Sequence, residues 1–265
     1  LITNCYNTGN VEGYTFMGWS TKPMQSVSPQ YEAEEKITVN GNVDLYAVVF
    51  NRTTETDLTE DQLPQVDIYK YKQVIFVGDS RTEFMENVLT GMGESATKNV
   101  KFVCSAGKGL DWFTTTGWAQ LYSIVQHDSN SILSKKTAVI FNFGVNDLSK
   151  SADYAEYYNW IAPQLKSKGC ELYFMSVNPV NRLMLPNAGR ADRSEAAVRS
   201  FNQYMKANLS SAYTYIDMYS YLKSTGYSFA SDHYGTGTVD DGLHYTTRTY
   251  KRIFAKCMDS LRVPA

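Results

Sequence analysis

The chain has 265 residues, with 25 Lys+Arg against 27 Asp+Glu for a net charge of -2, and it is 43% hydrophobic and 20% charged. That balance supports an ordinary buried core in one large domain or a large one plus a small one, and it excludes the strongly basic surface that nucleic acid or an anionic membrane requires. No apolar run approaches the ~18 residues of a membrane span, and the 20 Tyr suit polar ligands such as sugars as well as half-buried strands.

The chain opens at Leu1 without Met or a signal peptide. It reads as a mature sequence whose export signal has been removed. Gly13-Tyr14-Thr15-Phe16-Met17-Gly18-Trp19-Ser20 is short, aromatic and glycine-flanked. Ile37-Thr38-Val39 and Asp44 to Phe50 are β-rich, and Asn40-Gly41-Asn42 between them is a hairpin signal. Residues 1–50 are therefore expected to form a small β domain of three or four strands, with Trp19 in its core or offering a ligand platform. The polar, Thr-rich, acidic stretch that follows, with Pro64, predicts a linker over 51–69.

Residues 70–265 alternate strand and helix signals. Val74 to Val77 is a continuous apolar run, as a buried parallel strand requires. Val100 to Cys104, Ala138 to Phe143, Glu171 to Val177 and Thr214 to Asp217 are similar. Helical spacing predicts helices over Thr82 to Leu89, over Ala152 to Lys168 (Tyr154, Tyr158, Ile161, Leu165), over Ser194 to Leu209 (Ala197, Phe201, Tyr204, Met205) and over Thr246 to Leu261 (Tyr250, Ile253, Phe254, Cys257, Leu261). Alternating β and α with apolar strands predicts a parallel sheet with helices on both faces, whose ligands bind beyond the carboxyl ends of the strands. Cys5, Cys104, Cys170 and Cys257 are widely spaced, with no C-x-x-C and no Cys/His cluster. No metal, cofactor or disulfide framework is expected, and Cys104 reads as a buried small residue.

Three motifs fall where strands should end. Gly78-Asp79-Ser80 precedes a helix, so Ser80 can cap it or be a nucleophile whose surroundings favour developing negative charge. The G-x-S-x-G elbow is missing, which disfavours an α/β-hydrolase. Gly144-Val145-Asn146-Asp147 supplies an amide that can donate to an oxyanion, or two turn formers. In Asp241-Gly242-Leu243-His244, a tight turn can present both side chains together, the carboxylate fixing the imidazole tautomer. His233, beside Asp232, is a competing base, whereas His127 sits in a polar stretch. Ser105-Ala106-Gly107-Lys108-Gly109 follows another strand and offers a glycine N–H.

Together these blocks resemble the SGNH (GDSL-type) hydrolases over roughly residues 70 to 260. The resemblance implies a flavodoxin-like three-layer α/β/α domain and serine ester hydrolysis. Ser80 would be the nucleophile, His244 the base and Asp241 its orienting partner. Asn146 and the N–H groups of Gly107 and Ser80 would form the oxyanion hole, with Gly109 the alternative to Gly107. Arg81 and Thr82, and S-A-G-K-G in the second block, depart from the family pattern. Residues 10 to 50 (GYTFMGWSTKP, then ITVNGNVDLYAVVF) resemble the β-grasp-like Listeria–Bacteroides repeats of bacterial surface proteins, with Phe50 in place of the closing Trp. That resemblance implies an extracellular or cell-surface setting, with cell-wall association, and no catalytic role for this part.

Arg81, Lys108, Trp112, Arg182 and His233 are candidate substrate contacts, with Trp118, Arg190, Arg193 and Tyr234 in the same segments. The expected substrate is a small-molecule or glycan ester, such as an O-acetylated sugar. Acyl transfer by the same triad, and ligand binding without turnover, are the competing functions.

Overall fold

The structure, a computed structural model, describes residues 13–23, 27–127, 135–182, 184–187, 193–230 and 241–262. Cys5, Arg190 and the group Asp232, His233 and Tyr234 lie outside the described residues, as does the His127 side chain. The strands are β1 (Tyr14–Ser20), β2 (Tyr46–Asn51), β3 (Tyr71–Gly78), β4 (Val100–Cys104), β5 (Lys136–Asn142), β6 (Cys170–Met175) and β7 (Tyr213–Ile216). The helices are α1 (Ser80–Met92), α2 (Leu110–Trp112), α3 (Trp118–His127), α4 (Ser151–Lys166), α5 (Met184–Asn187), α6 (Glu195–Asn208), α7 (Met218–Thr225) and α8 (Thr247–Ser260). Among the described residues no helix is long and apolar enough to cross a membrane.

By its contacts the chain resolves into two compact units. One gathers Leu58–Val177, Phe201–Met218 and Tyr250–Ala265. Its centre is a five-stranded sheet in the order β4-β3-β5-β6-β7, parallel throughout. Counted within the sheet this is order 2-1-3-4-5, the doubly wound arrangement of flavodoxin-like folds, in which the first strand lies inside and the winding reverses beside it. The apolar runs form this sheet because strands covered on both faces have no solvent side to keep polar. Phe76 is paired with Ile140, one step from Phe141, so Phe76 and Phe141 point to opposite faces. Phe141 meets Tyr158 of α4 at 4.8 Å between ring centroids, and Phe76 meets Phe254 of α8 at 5.8 Å. Helices therefore cover both faces.

On α4, Tyr154, Tyr158, Ile161 and Leu165 are all fully buried, as their spacing predicts. On α6 the buried stripe differs from the expected one. Val198, Phe201, Asn202 and Met205 face inward, and Tyr204 is exposed. Asn202 displaces an apolar residue because its side chain accepts from Val177 N–H and donates to Val177 C=O, both at 2.7 Å, finishing the edge just beyond β6. The apolar pattern left unassigned the helical stretch from α2 through a π-turn, Phe113–Gly117, into α3. Phe113 anchors it against Phe141 and Phe143.

The other unit gathers Leu1–Asp57, Asn178–Ser200 and Tyr219–Thr249. Here β1 and β2 pair antiparallel, with an irregularity between Phe16 and Gly18. The expected hairpin over Asn40-Gly41-Asn42 does not form. Ile37-Thr38-Val39 is irregular, and Val39 and Val43 are exposed. Pairing β2 with β1 instead buries Met17, Trp19, Val48 and Phe50, whereas the local hairpin offers only Ile37 and Val39 as apolar partners. Trp19 is a core residue, edge-on to Phe16 at 5.1 Å. The stretch 51–69 contains two short 3₁₀ turns, Arg52–Thr54 and Glu60–Gln62, and Glu55, Leu63 and Val66 are buried. Among the described cysteines Cys104, Cys170 and Cys257 are not joined in a disulfide, and Cys104 is half-buried rather than buried. Burial, reinforced by the Glu86 carboxylate at 3.3 Å, pushes the Cys104 thiol up and keeps it protonated.

Candidate active site

In the sheet unit, three strands end in step. Gly78 of β3 is in register with Cys104 of β4 and with Asn142 of β5. Ser80 follows Gly78 by two residues, Gly107 follows Cys104 by three and Asn146 follows Asn142 by four. The sheet itself thus carries all three to one carboxyl edge, beside the strand where the winding reverses.

The capping question at α1 has a structural answer. Asp79 is the N-cap, and its carboxylate accepts the Arg81 N–H at 3.0 Å. Ser80 is the first helical residue, buried at the positive end of the helix. Arg81, a candidate substrate contact, is also buried in this first turn.

The loop after β4 is pinned group by group. Ser105 N–H donates to Gly78 O at 3.3 Å and Ala106 N–H to the Glu83 carboxylate at 2.7 Å. Lys108 N–H donates to Ser105 O, and Lys108 O accepts from Asn146 Nδ2 at 2.7 Å. Leu110 N–H donates to Asp147 Oδ2 at 2.9 Å. Gly107 is exposed, with φ +69 and open space where a side chain would stand. A side chain at Gly109 would run into the Asp147 carboxylate. Asp147 also accepts from Tyr154 Oη at 2.7 Å, so it ties this loop to α4. Burial first, then the neighbouring Tyr158 and Asp147, pushes the Tyr154 hydroxyl far up and keeps it a donor. Gly144 opens the third block because its φ is +129 and a side chain there would meet the Phe201 ring at 2.6 Å. Lys108 is exposed, and Trp112 is half-buried against Phe143 at 6.1 Å.

In the other unit, Asp241 and His244 form a buried pair. His244 Nδ1 lies 2.7 Å from Asp241 Oδ2. Asp241 Oδ1 accepts the backbone N–H of Leu243 at 2.8 Å and of His244 at 2.7 Å. Burial alone raises the Asp241 carboxyl, but bonds from the His244 ring and the two backbone N–H groups outweigh it and hold the pKa below the usual value. An ionised Asp241 places the imidazole proton on Nδ1 and leaves Nε2 able to accept one. Gly242 has φ +66, and a side chain there would collide with Asn181 O. Arg182, another candidate contact, pairs with Glu34 at 3.2 Å and is exposed. The candidate contact His233 lies outside the described residues. Among the described residues no cluster of three or more His, Cys, Asp or Glu could hold a metal ion.

A family model described as GDSL-like lipase/acylhydrolase matches residues 74–257. The chain belongs to this family. It is a hydrolase of the SGNH/GDSL type. No curated protein matches it. Among solved structures it is similar to a Slackia heliotrinireducens protein assigned to the SGNH hydrolases, at 13% identity and TM-score 0.49, covering 72% of this chain and 100% of that one. It is similar to an acetyl xylan esterase, AlAXEase, at 12% identity and TM-score 0.46, over 72% and 100% of the two chains. It is also similar to the C-terminal catalytic domain of Streptococcus pneumoniae peptidoglycan O-acetyltransferase A, at 17% identity and TM-score 0.41, over 72% and 92%.

Residue reading missed Asp79 as the cap, Glu83 as a loop anchor and Asp147 as a bridge. A signal existed for the first, since Asp before a helix is a common cap. The other two depend on contacts between residues 23 and 37 positions apart.

Proposed function

We propose that this hydrolase is a serine esterase acting on short acyl esters, with an acetylated carbohydrate as the substrate class. Ser80 Oγ attacks the ester carbonyl, and His244 Nε2 takes the hydroxyl proton and returns it to the leaving alcohol. Water then releases the acyl group by the same steps in reverse order. Asp241 holds His244 in the required tautomer and stabilises the imidazolium. The N–H groups of Ser80 and Gly107 and the Asn146 amide stabilise the oxyanion. The observation that carries the reading is the buried Asp241–His244 pair, in a chain whose family match brings a serine block at a strand end.

Exposed or half-exposed polar and aromatic groups in the candidate contact segments, Lys108 and Trp112 among them, support a polar alcohol moiety rather than a long acyl chain. The resemblance of residues 10 to 50 to bacterial surface repeats supports an extracellular or cell-surface setting with access to cell-wall glycans. The test is hydrolysis of p-nitrophenyl acetate, butyrate and octanoate, and release of acetate from O-acetylated glycans, by wild type, Ser80→Ala and His244→Ala. Short-chain and glycan activity lost in both variants is the expected result. Activity confined to octanoate, or retained in either variant, overturns the reading.

A further inference from the structure

We propose that the N-terminal segment belongs to the catalytic scaffold, with Glu55 the positioning residue that holds the Asp241–His244 turn. The inference rests on His244 being the base in the function proposed above.

Glu55 lies just past β2 and the 3₁₀ turn Arg52–Thr54, and it is 5% exposed. A buried carboxylate is costly unless its oxygens are bonded. This one accepts a short hydrogen bond from Thr249 Oγ1, a residue 194 positions away in sequence, and lies 3.5 Å from Thr246 Oγ1. Both threonines flank the start of α8, where the helix dipole favours negative charge.

The same threonines grip the strip Ser228–Ala230. Thr249 Oγ1 accepts the Ser228 N–H at 3.0 Å, and Thr246 N–H donates to Ser228 O at 2.9 Å. The strip in turn holds both ends of the acid–base turn. Ala230 N–H donates to His244 O at 2.7 Å, and Asp241 N–H donates to Ala230 O at 3.2 Å. The path from Glu55 to His244 therefore runs through two hydrogen bonds to Ser228, the short backbone strip to Ala230 and one hydrogen bond to His244, all within one compact unit.

An independent grip comes from the same N-terminal segment. Lys223, itself buried, bonds Glu32 at 2.8 Å, Glu195 at 3.3 Å and the Met17 carbonyl. Glu195 accepts the Val180 N–H at 3.1 Å, and the next residue, Asn181, donates its N–H to Gly242 O at 2.8 Å. Gly242 is the residue that turns the chain between Asp241 and His244. Glu55 and Glu32 thus fix the turn along two separate routes.

The consequence is a division of labour. Asp241 sets the tautomer of His244, and Glu55 sets where the ring stands. A slack turn keeps the Asp241–His244 bond but mis-aims Nε2, and displacements on the order of 1 Å cost about 10²-fold in rate. Such a defect lowers kcat and leaves KM unchanged.

The experiment uses the full chain as Glu55→Ala, Glu55→Gln and Thr249→Val, with His244→Ala as reference. Turnover of p-nitrophenyl acetate is read together with the downfield proton resonance of the His244 Nδ1–H and a thermal denaturation curve. Glu55→Ala is expected to lose about ten- to a hundred-fold in kcat at constant KM, and its imidazole resonance should shift or broaden. Glu55→Gln, which keeps an acceptor oxygen for Thr249, should recover most of both. Thr249→Val should reproduce the Glu55→Ala defect, and it decides the matter if Glu55→Ala does not fold. Folded Glu55→Ala or Thr249→Val with wild-type kcat and an unmoved resonance overturns the proposal. Wild-type activity in His244→Ala instead overturns the function reading on which it rests, while the imidazole resonance still reports on the brace.

Discussion

The two regions that carry the family blocks are built by different means. The edge with Ser80, Gly107 and Asn146 is set by backbone register, since three parallel strands end level and short loops leave them. The Asp241–His244 turn lies outside that sheet; its backbone bonds run to Ala230 and Asn181, in segments held by side chains distant in sequence. A sheet edge averages its position over many ladder bonds and tolerates the loss of one. A turn with few backbone bonds, made to segments that single side chains fix, does not, so the second region should be the more sensitive to substitutions away from the reacting groups.

The comparison breaks most sharply at the reacting groups, where the two regions should be equivalent. Ser80→Ala and His244→Ala should each lower kcat on p-nitrophenyl acetate by on the order of 10⁶-fold, and the double variant should be no worse than either. Clearly additive losses would mean that the two residues do not act as one unit.

Next is Asp241→Asn, expected to cost on the order of 10⁴-fold in kcat because the amide favours the wrong tautomer. It also carries a stability signature. The folded-state pKa of Asp241 lies below its ordinary value of 3.8, so its contribution to stability is fully present above about pH 4. That contribution is lost as pH falls through the folded value. Urea midpoints of wild type and variant should therefore differ at neutral pH and converge below about pH 4. A gap that widens on acidification would contradict the assignment.

Asn146→Ala should follow, at about 10²- to 10³-fold in kcat for one oxyanion donor. Because the sheet, not Asn146, places Ser80, the variant should retain wild-type thermal stability to within about 1 kcal/mol, the worth of its bond to Lys108 O.

The smallest effect is expected at the opposite edge of the sheet. Glu171 bonds Tyr71, and Lys136 at 2.5 Å. Burial works against its ionised form, but these donors and Lys70 prevail and hold its pKa at about 2. Glu171→Gln should cost about 1 kcal/mol at neutral pH, since Lys136 is half-exposed and solvent screens the pair. The difference should fade as pH falls from 4.5 toward 2, and kcat should stay unchanged. A kcat defect in this variant would show that the two edges of the sheet are coupled.

The sheet strands were legible because apolar runs such as Val74 to Val77 and Ala138 to Phe143 have few other uses in a globular chain. The family blocks were legible because glycine is required where Gly144 and Gly242 stand, and chemistry constrains their neighbours. The N-terminal segment was not. Asn40-Gly41-Asn42 carries a strong local turn signal, yet β2 pairs with β1, because burial of Met17 and Trp19 outweighs turn propensity. Tyr204 and Asn202 on α6 exchange their expected places for a similar reason, a pair of backbone groups at Val177 that only a polar side chain could satisfy.

Sequence alone determined the order of the family blocks along the chain and the candidates for the reacting side chains, since each rests on local pattern or short spacing. Tertiary structure alone decided that Asp147 ties the loop after β4 to α4, and that Glu55 and Glu32 reach the Asp241–His244 turn. Those contacts join residues far apart in sequence, and a buried carboxylate in a polar, Thr-rich stretch looks like any solvated one until the fold removes it from water.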